Sequence, residues 1–173
     1  QDIIWHKPNP MPESVTDRCT KAHEYIFLLT KSASYFYDNE AVKENSLHVG
    51  VTHRAANKGK AHSGEVGLDT RPKVDWTTPE TRNKRSVWTV TTKPFKGAHF
   101  ATFPPDLIEP CILAGSAPNT LVLDPFNGAG TTGVVAVQHG RRYIGIELNP
   151  DYLEMSRKRI QETRDGITLP MFT

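Results

Sequence analysis

Four residues in the last third of the chain are placed to bind a ligand. The apolar run "LVL" ends at Asp124, and "PFNGAG" follows, with Gly128 and Gly130 spaced G-x-G. Glycines at the carboxyl end of a strand let the backbone turn tightly and let a ligand approach it closely. A second acid, Glu147, stands twenty-three residues beyond Asp124. A carboxylate there can accept two hydrogen bonds from a ribose diol. The phosphate signals are weak. Gly133 completes G-x-G-x-x-G only from inside the following helix, and "GAGTT" carries no Walker lysine. A ligand with adenine and ribose but no phosphate fits better, and S-adenosylmethionine is such a ligand. The plainer readings stay open beside this one. Asp124 could cap the turn, Phe126 could be core, Thr131 could be a helix cap and Glu147 a surface acid.

These residues need strand ends and helix starts to hold them. "TLVLDP" reads as a strand, "GTTGVVAVQHG" as a helix ended by Gly140, and "RRYIGIEL" as a second strand. "NPDYLEMSRKRIQET" reads as an amphipathic helix with Asn149 at its N-cap and Pro150 in its first turn. This order is a βαβ unit with parallel strands. Ahead of it, "PPDLIEPCILAGS" reads as a short helix with proline in its first turn. "SVWTVTT" is a strand candidate. "DIIWH" and "YIFLLTK" look like buried strands, with "YFYD" extending or following the second. The expected fold is α/β: an open, Rossmann-like sheet with helices on both faces and a loop-rich insertion.

The chain has 173 residues, 37% apolar and 23% charged, and no apolar run near the roughly 20 residues that span a bilayer. Cys19 and Cys111 are isolated and have no metal spacing, so no metal site is expected. They read as reduced cysteines of a cytoplasmic protein. The net charge of +2 is unevenly spread. Residues 40–100 hold eleven Lys/Arg against six Asp/Glu, a net +5. That segment is either a solvated loop or one that meets phosphates. Within it, Trp76 and Trp88 flank the run "RNKR", Arg82 to Arg85. Trp76 could stack on nucleic acid, whereas Trp88 reads as core.

The run from "HFATFPPDLIEPCILAGS" through "LVLDPFNGAGTTGVVAVQHGRRYIGIELNPDYLEMSRKRI" resembles the cofactor half of DNA amino-methyltransferases. "DPFNGAGTT" matches their D-P-F-x-G-[SAT]-G-T-T motif. "HFATFP" matches the segment that precedes it in the beta arrangement, where the cofactor half is carboxy-terminal. "DIIWHKPNPMPES" and "AHEYIFLLTKSASYFYD" are similar to the later part of the catalytic half. The resemblance divides the chain into three. Residues 1–39 are catalytic-half remainder, 40–98 a variable basic target-recognition segment, and 99–173 the S-adenosylmethionine-binding region. It implies cofactor roles for Phe100, Ala101, Thr102, Asp124, Phe126, Gly128, Gly130, Thr131, Glu147 and Asn149. It implies double-stranded DNA as partner, with Lys7, Asn9, Arg82, Lys84 and Arg85 as candidate contacts. "HKPNP" reads equally as a rigid loop.

The same resemblance exposes a gap. The family carries a [SD]-P-P-[YFW] motif that holds the target amine, and this sequence contains no such tetrapeptide; "FPPD" at 103–106 lies within the cofactor segment. The motif is expected upstream of Gln1, so the sequence names no catalytic residue. The sheet is then expected to be incomplete until a second chain or a swapped copy fills it. Two readings remain. One is an enzyme that methylates the exocyclic amine of cytosine or adenine, with the "WHKPNPMPES" wording leaning to cytosine. The other is a non-catalytic cofactor- or DNA-binding remnant. Such enzymes belong to prokaryotes and phages.

Overall fold

The computed structural model describes residues 1–53, 75–93 and 102–166. The chain forms two compact units, Gln1–Val42 together with Arg85–Thr173, and Lys43–Lys84.

The first unit opens with β1 (Asp2–His6) and β2 (His23–Phe27), paired antiparallel with Ile4 opposite Tyr25. The intervening segment carries three prolines, and no helix or strand forms in it. Alternation along β1 sends Trp5 into the core, where its indole N–H donates to the carbonyl of Val90 at 2.8 Å. The expectation that both strands are buried is met by β1 only. On β2, Tyr25 and Phe27 are exposed and stack on each other at 6.0 Å. The reason is positional. The sheet order places β2 at an edge, and no described element covers the face that carries those rings. "YFYD" does not extend the strand; Tyr35, Phe36 and Tyr37 are exposed loop residues.

In the second unit, β3 (Glu44–Asn45) and β4 (Thr52–His53) are two-residue strands. They pair antiparallel with β6 (Thr81–Arg82) and β5 (Trp76–Thr77), respectively. Strands this short bury little, and polar and aromatic pairs hold them: Arg82 donates to Glu44 at 2.9 Å, and His53 stacks on Trp76 at 4.1 Å.

Back in the first unit, β7 (Val87–Thr89) pairs parallel with β1. Helix α1 (Pro105–Gly115) starts on a proline, whose missing N–H would have had no partner in the first turn. It ends where the N–H and hydroxyl of Ser116 both donate to the carbonyl of Ile112. Next come β8 (Leu121–Asp124), α2 (Thr131–Gln138), β9 (Arg142–Gly145) and α3 (Pro150–Arg164). The two strands run parallel, with Leu121 opposite Arg142 and Asp124 opposite Gly145. This is the expected βαβ unit.

Helix α2 is buried nearly all round because β8, β9, α1 and α3 all contact it. Gly133 permits that closeness. A Cβ there would lie 2.5 Å from the Tyr143 ring and 2.6 Å from Ile160. The opposite face of β8 and β9 presents Leu121, Leu123, Ile144 and Ile146, all about half exposed. Among the described residues the βαβ unit thus carries helices on one face and an uncovered apolar surface on the other.

Candidate functional site

The turn between β8 and α2 is the centre of the site, and its backbone is fixed almost atom by atom. Asp124 closes the strand. Its Oδ1 accepts from the N–H of Phe126 at 3.0 Å, so its carboxylate caps the turn. Asn127 is buried. Its N–H donates to the carbonyl of Ile146 at 2.9 Å, and its carbonyl accepts from Gly130 at 2.8 Å. Its side chain donates to the carbonyl of Gly128 and accepts from the Tyr143 hydroxyl at 2.6 Å. Burial first, and the nearby Asp124 carboxylate second, push the Tyr143 phenol well above its ordinary range. Tyr143 therefore remains a proton donor to Asn127 at any working pH.

Gly128 and Gly130 take left-handed φ values of 49° and 77°, which glycine adopts without strain. Gly130 is also the N-cap of α2, and a Cβ on it would lie 2.6 Å from the Cβ of Ser156. Helix α3 therefore backs directly onto the turn. From α3, the buried Arg159 donates to the carbonyl of Ala129. Burial lowers its pKa from the ordinary guanidinium value.

Glu147, just past β9, faces the turn. One of its oxygens accepts from the Gly128 N–H at 2.7 Å and the other from the Asn149 N–H at 2.9 Å. These amides set the direction of the carboxylate. The residues Thr102, Phe103, Phe126, Asn127, Gly128, Ala129, Thr131, Glu147 and Tyr152 line one cleft of about 200 Å³. Phe126 is 88% exposed, so its ring is a wall open to solvent and not core. The cleft offers a carboxylate, backbone at Gly128 and three aromatic rings, and among the described residues no lysine or arginine lines it. That set suits an uncharged heterocycle and a diol better than a phosphate.

Of the residues named from the sequence, Thr102, Phe126, Gly128, Thr131 and Glu147 line this one cleft. Asp124 and Gly130 shape the turn from behind the cleft wall. Asn149 is the N-cap of α3, its side chain accepting from Asp151 at 2.9 Å. Phe100 and Ala101 lie outside the described residues. Asn127, Tyr143, Tyr152, Ser156 and Arg159 were not singled out as site residues from the sequence. A signal existed for three of them: Tyr152, Ser156 and Arg159 recur at helical spacing on one face of the predicted amphipathic helix.

The candidate DNA contacts have structural roles of their own. Lys7 pairs with Glu24 and lies 4.3 Å above the Trp5 ring. Asn9 clamps Thr92, donating to its carbonyl at 3.0 Å and accepting from its N–H at 3.1 Å. Arg82 is engaged by Glu44. Trp88, half-buried, donates to the carbonyl of Arg85 at 2.7 Å.

Residues 1–158, which include the whole cleft, match the model of a protein family described as DNA methylase. The chain belongs to that DNA methylase family. Among relatives, the chain is 49% identical over 160 residues to the Type II methyltransferase M.Cfr9I of Citrobacter freundii. The match covers 92% of this chain and 43% of that protein, so the chain spans less than half the length of this relative. Two solved structures share the fold. The PvuII DNA methyltransferase, described as cytosine-N4-specific, superposes with a TM-score of 0.62 at 20% identity, over 96% of this chain and 56% of that one. The complex of M1.HpyAVI with SAM gives 0.57 at 24% identity, over 92% and 60%.

Proposed function

We propose that this DNA methylase chain forms the cofactor-binding half of an enzyme that methylates the exocyclic amine of cytosine, or of adenine, in double-stranded DNA. The observation that carries the reading is the Glu147 carboxylate, aimed by the Gly128 and Asn149 amides at a cleft that no cationic side chain lines among the described residues. S-adenosylmethionine, when bound, supplies an electrophilic methyl group. Glu147 would hold the ribose hydroxyls. Phe126, Tyr152, Phe103 and Thr102 would enclose the rest, and the glycine turn would admit the ligand against the backbone. This donor set fits the cofactor on the chemistry of the cleft.

The target amine is a poor nucleophile because its lone pair is delocalised into the ring. The base must leave the duplex to reach the cofactor. Hydrogen bonds to the amine protons free that lone pair, and alignment supplies much of the rest. The groups that make those bonds belong to the [SD]-P-P-[YFW] motif, which this sequence does not contain. We assign them to the remainder of a longer protein. The uncovered apolar face of β8 and β9 is where that remainder, or a second chain, would pack. Action on DNA supports a cytoplasmic location. Among the described residues no helix is long and apolar enough to cross a membrane.

Glu147→Ala in the full-length enzyme tests the reading. It removes a charge-assisted pair of bonds to the ribose, on the order of 1.5–3 kcal/mol each. Calorimetry should show S-adenosylmethionine affinity reduced by roughly a hundredfold or more. Unchanged affinity would sink the assignment.

Residues 40–98 are proposed to carry the target-recognition contacts, on the strength of their excess positive charge. Neutralising Arg82, Lys84 and Arg85 together should weaken DNA binding and flatten its salt dependence by roughly 2–3 units, at about 0.9 per phosphate contact. A mobility assay across a salt series measures this. An unchanged slope would make the cluster a solvated face.

A further inference from the structure

We infer that Arg159 is a positioning residue for the cofactor: through the carbonyl of Ala129 it sets the glycine turn against which the ligand lies. The inference rests on the proposed cofactor reading and goes beyond it, because Arg159 does not line the cleft.

The peptide joining Ala129 to Gly130 is held at both ends. Its carbonyl accepts from the Arg159 guanidinium, and its N–H donates to the carbonyl of Asn127 at 2.8 Å. The preceding peptides are tied as well. Gly128 donates to Glu147, and its carbonyl accepts from the Asn127 side chain. The turn therefore hangs between Glu147 on the cleft side and Arg159 on the α3 side.

Arg159 is only 8% exposed. A buried guanidinium is costly unless its donors are satisfied. Burial lowers its pKa, yet an arginine stays charged under any physiological condition. A core residue whose only task was packing would be apolar. Here a permanent cation, with donors in a fixed fork, is placed against a backbone carbonyl flanked by two left-handed glycines. With Gly128 before Ala129 and Gly130 after it, the backbone on either side of that carbonyl is conformationally permissive. Arg159 removes that freedom before the ligand arrives, and a preformed site does not lose binding energy to ordering itself.

The test uses the full-length enzyme and three variants, with S-adenosylmethionine and DNA titrated separately. Arg159→Leu keeps the bulk and loses the donors. It should raise the KM for S-adenosylmethionine roughly 10-fold or more, because a turn that must order itself on binding spends about 1.4 kcal/mol per tenfold of affinity, with the KM for DNA unchanged. Arg159→Lys keeps one charged donor and should recover part of the loss. Should the leucine variant not fold, the lysine variant carries the test with an intermediate KM. Leu107→Ala, a buried change in α1, none of whose residues lines the cleft, should lower the melting temperature and leave both KM values in place. The inference is overturned if Arg159→Leu and Leu107→Ala change stability alike while the cofactor KM stays put. It is overturned equally if the lysine variant binds cofactor no better than the leucine one. A weakened Glu147→Ala beside an indifferent Arg159→Leu would remove this inference only; an indifferent Glu147→Ala would remove the cofactor reading beneath it.

Discussion

A polypeptide of residues 1–173, incubated with radiolabelled S-adenosylmethionine and mixed-sequence DNA, transfers no methyl group that can be measured. A protein extended upstream to include a [SD]-P-P-[YFW] motif transfers it readily. The expectation follows from the chemistry of the amine. The cleft supplies groups for binding and alignment: Glu147, the glycine turn and the rings of Phe126 and Tyr152. Glu147, the one carboxylate among them, is assigned to the ribose hydroxyls, and no group of the [SD]-P-P-[YFW] kind stands beside it for a base amine. Losing one group that acts only in the transition state costs about 2.7–4 kcal/mol, two to three orders of magnitude in rate. Here the whole amine-binding set is absent from the sequence. Label transfer by the short polypeptide at a rate like that of the long one would show that the catalytic centre has been misplaced.

The second large effect is on the turn itself. Gly130→Ala should destabilise the protein by about 3 kcal/mol and abolish cofactor binding. Two costs combine. An alanine at φ 77° carries roughly 1–2 kcal/mol of backbone strain. Its Cβ would also sit 2.6 Å from the Cβ and 3.1 Å from the Cα of Ser156, and forced overpacking adds about 1–3 kcal/mol. Gly140 separates the two costs. It has a φ of 70°, but a Cβ there meets nothing within 4 Å. Gly140→Ala should therefore cost only the strain, about 1 kcal/mol, and leave binding intact. Chemical denaturation of both variants compares them. Equal losses would mean that α3 does not back onto the turn.

The βαβ unit was legible because its signals are local. An apolar run stopping at Asp124, glycines at the turn and the Asn149–Pro150 start of α3 need no knowledge of the rest of the chain. The same holds for Glu147, whose distance from Asp124 follows from one strand, one turn and one helix. The burial of β2 was misjudged for the opposite reason. "YIFLL" has the composition of a core strand, but burial depends on what covers it, and the covering element is not in the sequence pattern. Tyr25 and Phe27 are exposed because no described element lies over them. Asn127 and Arg159 are polar residues whose roles arise from tertiary contact. Asn127 occupies the unspecified position of D-P-F-x-G, and only the fold brings Tyr143 to it. Arg159 stands in the charged run "RKR", which by composition reads as solvated; its place on the helix face turns it inward.

The central claim is methyl transfer to an exocyclic amine, and one measurement reaches it directly. The full-length protein is incubated with S-adenosylmethionine and DNA, the DNA is digested to nucleosides, and the methylated nucleoside is identified by mass spectrometry. The account predicts N4-methylcytosine, or N6-methyladenine if adenine is the target. A methyl group on a ring carbon, or unmodified DNA, would contradict it.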